Sequence, residues 1–200
     1  MNLVSDSDFL VFALHKPSDP NLLINHEKAV LLFKSFINGF NSSYLTSTVA
    51  IEVASVLSKL INLDYAKSAL DELYSVTKEI YPFSSRVTDN HIFSTTSNFY
   101  FSICQENALK LSKFDKDEAD NWVPGWKKSK TETMVSGMDI FILSYAQLKD
   151  AALITNDWSL WYAAWKSGLR AYWLSGLTIE DAEKISNGEI IEYPKTNLRR

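Results

Sequence analysis

Four carboxylates, Asp6, Glu52, Asp139 and Asp157, stand where short apolar segments give way to helical patterns or where such patterns begin. Asp6 follows the apolar entry Asn2–Ser5, and Asp157 follows the apolar run Ala151–Thr155. Glu52 is read into the first turn of a helix after a second short strand, and Asp139 opens the helix that precedes Ala151–Thr155. Gathered in one place, such acids repel one another and hold raised pKa values unless a cation neutralises them. Oxygen-only ligands of this kind suit Mg²⁺ or Mn²⁺. Each acid also has a local explanation. Asp6 (or Asp8) and Asp157 fit helix N-caps, Ser136 to Asp139 fits a capping box, and Glu52 complements a helix dipole. Only their convergence would favour chemistry over capping.

The elements that would bring them together alternate along the chain. Strands are expected at Asn2–Ser5, Ser43–Thr46, Glu79–Ser85, Ala151–Thr155 and Leu169–Leu174. A turn at Asp6–Asp8 opens a helix through the apolar stretch Phe9–Leu14, and Lys16–Asn21, with two prolines, is a loop. Further helices are expected over His26–Phe40, from Ser47 or Thr48 to Ile61, and over Tyr65–Lys78, Thr88–Lys113, Ser136–Leu148, Trp158–Lys166 and Thr178–Ser186. Gly168 stands at the C′ position of the Trp158 helix. This order calls for an α/β fold of three layers, a central parallel sheet flanked by helices. In such sheets ligands sit beyond the carboxyl ends of the strands. A helix feeding a parallel strand starts where that strand ends, so Asp139 would reach the same edge as Asp6 and Asp157.

Four segments give the pattern a family likeness. Leu3-Val-Ser-Asp6-Ser-Asp-Phe-Leu10 resembles the opening of PIN-domain proteins, a short strand ending in an aspartate. Thr46-Ser-Thr-Val-Ala-Ile-Glu52 resembles the family's second acidic motif. Ser136-Gly-Met-Asp139 and the apolar helix after it are similar to the third, and Leu153-Ile-Thr-Asn-Asp157 to the fourth. The interval from Glu52 to Asp139 is longer than in compact VapC-type members, in keeping with a charged insertion over about 114–131 in a single domain spanning 1–200. The resemblance implies a ribonuclease dependent on Mg²⁺ or Mn²⁺, with Asp6, Asp139 and Asp157 as main ligands and Glu52 completing the shell. It implies an RNA substrate and admits an antitoxin partner and a homodimer. Thr155 and Asn156 would position Asp157 or touch phosphate. Lys127 and Lys128, beside Trp126, would grip a single strand if they are more than a solvated loop.

Two other functions compete. A haloacid-dehalogenase-like phosphatase would use Asp6 and Asp8 as nucleophile and general acid, but leaves Glu52 and Asp139 idle. A non-catalytic PIN-like binding module would keep the fold without turnover. The remaining features fit a cytoplasmic protein. The 200 residues are 46% hydrophobic and 22% charged, with net charge −4, which argues against charge-driven coating of nucleic acid. The one cysteine, Cys104, precludes an internal disulfide. No apolar run approaches the roughly 18 residues of a membrane span. His15, His26 and His91 lack zinc-ligand spacing. Trp158, Trp161 and Trp165 recur at helical spacing and are read as core or a dimer surface.

Overall fold

In the computed structural model, residues 1–81 and 137–193 are described. The described elements run β1 (Asn2–Ser5), α1 (Ser7–Leu14), a 3₁₀ turn (Pro20–Leu22), α2 (Leu23–Ile37), β2 (Ser42–Thr46), α3 (Ser47–Leu60), α4 (Leu63–Val76) and β3 (Thr77–Tyr81). After 137 come α5 (Gly137–Leu148), β4 (Ala152–Thr155), α6 (Trp158–Lys166), β5 (Ala171–Trp173), a 3₁₀ turn (Leu174–Gly176) and α7 (Ile179–Ser186). The expected helix over 88–113, the insertion over 114–131, Lys127, Lys128, Cys104 and His91 lie outside the described residues.

The five strands form one parallel sheet in the order β3-β2-β1-β4-β5. Leu3, Val4, Leu45, Leu153 and Ile154 are fully buried. Such continuous apolar strands belong to a sheet covered on both faces. Helices α1, α2, α3, α4 and α7 pack on one another, whereas α5 packs on β1 and β4 and α6 on β4 and β5. The chain moves outward from β1 to β2 and β3, then returns to β4 on β1's other side. Right-handed crossovers therefore set the two helix groups on opposite faces. This is the three-layer α/β architecture that the alternation implies.

Local chemistry moves several boundaries. No separate turn follows β1, because Asp6 itself caps α1 and the helix begins at Ser7. Helix α2 starts earlier than its apolar periodicity, since Asp19 caps the Pro20 turn that feeds it. Thr46, not Ser47 or Thr48, caps α3. Glu52 therefore falls in the second turn. Strand β3 begins at Thr77, where α4 was expected to continue. The last strand shortens to three residues as Leu174 turns into a 3₁₀ helix.

The tryptophan spacing resolves as core. Trp161 is 2% exposed, donates from Nε1 to the Ala171 carbonyl at 3.2 Å, and stacks on Trp165 and Trp173 at 6.3 and 6.0 Å. Gly168, at φ 79°, ends α6 in the left-handed region that glycine alone adopts without cost, and so turns the chain into β5. Trp161→Ala is expected to lower stability by about 3–5 kcal/mol, read from the urea midpoint, because the cavity would lie under both α6 and β5.

Candidate functional site

The order β3-β2-β1-β4-β5 reverses direction at β1 and β4, and an open parallel sheet has its ligand crevice at that switch, beyond the carboxyl ends of the two strands. Asp6 and Thr155 stand there. The ladder runs Leu3, Val4 and Ser5 against Ala152, Leu153 and Ile154, and the Asp6 amide continues it with a 3.1 Å bond to the Ile154 carbonyl. Asp6 is thereby pinned beside Thr155, whose hydroxyl donates to Asp6 Oδ2 at 2.7 Å. The same hydroxyl accepts from the Asp157 amide at 2.9 Å, so one side chain ties both aspartate-bearing strand ends.

Asp6 is 5% exposed. Its Oδ1 accepts from the Ser7 amide at 2.7 Å and also meets the Ser7 hydroxyl at 3.4 Å. Burial pushes its carboxyl up from 3.8 to about 7; the bonds from Thr155 and Ser7 oppose that rise, and the charges of Asp8 and Asp139 add to it. Asp139 is therefore close enough to act on Asp6, as its place in the first turn of α5 requires. The turn from α5 into β4 passes through Asp150 at φ 45°, a left-handed C-cap position that aspartate tolerates, with the Ala151 amide bonded back to Ala146.

Asp157 caps α6: its Oδ1 accepts from the Ser159 and Leu160 amides at 2.6 and 3.3 Å. Its Oδ2 takes no hydrogen bond from the described residues. The capping explanation thus holds for Asp6 and Asp157, and neither role uses up the lone pairs of its carboxylate. Glu52 is exposed on α3, and its placement in the first turn is corrected to the second. Asp6, Asp139 and Asp157 belong to the β1/β4 edge; no hydrogen bond joins Glu52 to them among the described residues.

Among the described residues, no group of three or more His, Cys, Asp or Glu side chains is drawn together as a ready cage for a metal ion. A cage is not what Mg²⁺ requires. It keeps several waters and is held by one or two carboxylates together with substrate phosphate. A buried carboxyl whose ionisation is opposed by burial and by the charges of Asp8 and Asp139 is an oxygen donor that fits such an ion. It suits a free phosphatase nucleophile less well, because both Asp6 oxygens already accept hydrogen bonds, from the Ser7 amide and the Thr155 hydroxyl.

Asn156, read as a residue that touches phosphate or positions Asp157, is engaged through its oxygen. Oδ1 accepts from the Ser175 amide at 3.1 Å and from the Ser175 hydroxyl at 2.6 Å, and the backbone carbonyl accepts from Trp173 Nε1 at 3.2 Å. Behind Ser175 stands a pair that the sequence did not flag. Asn25 Nδ2 donates to Ser175 Oγ at 2.8 Å, and the buried Lys28 ammonium donates to Asn25 Oδ1 at 3.2 Å and the Leu174 carbonyl at 3.0 Å. The available signal was a lysine and an asparagine on the apolar stripe of α2, in register with Ala29, Leu32, Phe33 and Phe36. Thr155→Val is expected to raise the Asp6 pKa further and to cost about 1–3 kcal/mol, since a bond that stabilises the carboxylate disappears. A carboxyl-carbon NMR titration and an unfolding curve check the two parts.

Fold and site together define the class: an open, all-parallel α/β sheet with acidic residues at its topological switch. No protein-family model matches the chain, and no curated protein matches it. Among solved structures it is similar to VapBC2 from Rickettsia felis bound to a DNA fragment from its promoter, at 21% identity and a TM-score of 0.47, over 86% of this chain and 98% of that one. A likeness of that degree assigns no function to this chain. No helix among the described residues is long and apolar enough to cross a membrane.

Proposed function

We propose that the β1/β4 edge binds Mg²⁺ or Mn²⁺ through Asp6, Asp139 and Asp157, with Glu52 as an outer member, and that the protein cleaves RNA there. The observation that carries the reading is Asp6. A carboxyl buried at the switch point, with the charges of Asp8 and Asp139 adding to the penalty of burial, is costly to ionise in the apoprotein, and a divalent cation offsets that cost. When bound, the ion supplies activation of water and neutralisation of charge on a phosphodiester. The chain's own residues do the rest. Thr155 holds Asp6 and the Asp157 backbone in fixed relation, the α6 amides orient Asp157 from its Oδ1 side, and α5 brings Asp139 to the edge.

RNA as substrate rests on the likeness of the four motif segments to PIN-domain nucleases. The narrower form of the reading, a toxin held by an antitoxin, adds a protein partner. Incubation of total RNA with the protein and Mg²⁺, Mn²⁺ or chelator tests the proposal. Cleavage that requires the cation is expected, and cleavage indifferent to chelator, or none with either ion, overturns it.

A further inference from the structure

We infer that Asn156 is a donor contact for an anionic oxygen of the substrate, held in that orientation by Lys28, Asn25 and Ser175. The inference rests on the proposed site, beside which Asn156 lies in sequence and space. Its basis is the polarity of a hydrogen-bond chain. An ammonium only donates, so the Asn25 atom facing Lys28 is the oxygen, and the Asn25 NH₂ must face Ser175. The Ser175 hydroxyl, having accepted there, donates onward to Asn156. The Ser175 backbone amide, also donor-only, points at the same Asn156 atom. Two independent donors therefore identify that atom as Oδ1. The Asn156 amide cannot flip without opposing both, and its NH₂ is left outside the chain with no hydrogen-bond partner among the described residues.

The consequence is a half-buried pair of N–H donors fixed between Thr155 and Asp157, next to carboxylates that would repel a phosphate. A neutral donor offers such an anion a hydrogen bond without competing with the cation for the aspartates. Lys28, Asn25 and Ser175 are positioning residues. Burial lowers the Lys28 pKa, and its part in the chain is to set direction rather than to meet substrate.

The test uses the full chain carrying Asp139→Asn, so that binding is read without turnover, and a short single-stranded RNA oligonucleotide as probe. Asn156→Asp added to it keeps an oxygen for Ser175 and turns the donor face into an anion. Binding is expected to weaken about tenfold or more, roughly one lost charge-assisted bond. Asn25→Asp reverses the polarity of the chain and is expected to weaken binding several-fold, with no further loss when combined with Asn156→Asp. Asn41→Ala, which breaks a separate buried network linking α2 to α7, lowers the melting temperature and leaves the dissociation constant unchanged. Unaltered RNA affinity in a folded Asn156→Asp protein overturns the inference, whether or not the wild type cleaves RNA. Binding that is lost in Asn156→Asp while the wild type shows no metal-dependent cleavage keeps the inference and removes the nuclease. No RNA binding at all overturns the inference, and the nuclease is judged separately by wild-type cleavage of total RNA.

Discussion

Asp139→Asn is expected to lower metal-dependent RNA cleavage by about 10²–10³-fold, the several kcal/mol that a properly held cation contributes to the transition state. The substitution changes one oxygen to an amide at the start of α5, in a side chain that is only partly buried. Folding should survive it, because the helix is anchored by Phe141, Ile142, Leu143 and Tyr145 below. The loss should lie in turnover rather than in the unfolding midpoint. It also separates the two enzyme readings, since a phosphatase built on Asp6 and Asp8 has no use for Asp139. Hydrolysis of a small phosphomonoester that survives Asp139→Asn and vanishes in Asp8→Asn would favour the phosphatase.

Asp6→Asn is expected to change the pH dependence of stability in the apoprotein. The Asp6 carboxyl titrates near 3.8 when unfolded and near 7 when folded. Between those values the folded state holds a proton that the unfolded state has released, so stability falls as pH rises. The favourable contribution is complete below about 3.8 and gone above about 7. The displacement corresponds to ~4 kcal/mol, and water entry and relaxation around the anion bring the expected effect to ~2–4 kcal/mol. Denaturant unfolding of the wild type and Asp6→Asn in chelator, from about pH 4 to pH 8, checks it. The wild type should lose stability relative to the variant across that range, and Mn²⁺ should restore the wild type alone. Parallel profiles would mean that the carboxylate is better solvated than its 5% exposure implies.

The strand ends were legible in the sequence because Asp6 and Asp157 each close a short apolar run and begin a helical pattern, and one residue type performs both tasks. The α6 helix and its Gly168 stop were legible for the same reason: every signal there is local. Parallel alternation was legible, but the position of β1 between β2 and β4 was not, since strand order depends on pairing between residues far apart in the chain. Glu52 was placed a turn too early because Thr46, Ser47 and Thr48 are all competent caps, and only the backbone of β2 selects the first. The polar chain behind Asn156 was invisible for a further reason. Ser175 comes from the 3₁₀ turn after β5 and Lys28 from α2, and a buried lysine reads as a surface residue until its acceptors are known.

Mn²⁺ titration followed by calorimetry near pH 6.5, in buffers of different ionisation enthalpy, addresses the metal edge most directly. The wild type is expected to bind the ion and to release a proton as Asp6 ionises. Asp139→Asn and Asp157→Asn should each weaken binding by about 10–100-fold. Wild-type protein that takes up no Mn²⁺, or variants that bind it as tightly and with the same heat, would contradict a cation site at the carboxyl ends of β1 and β4.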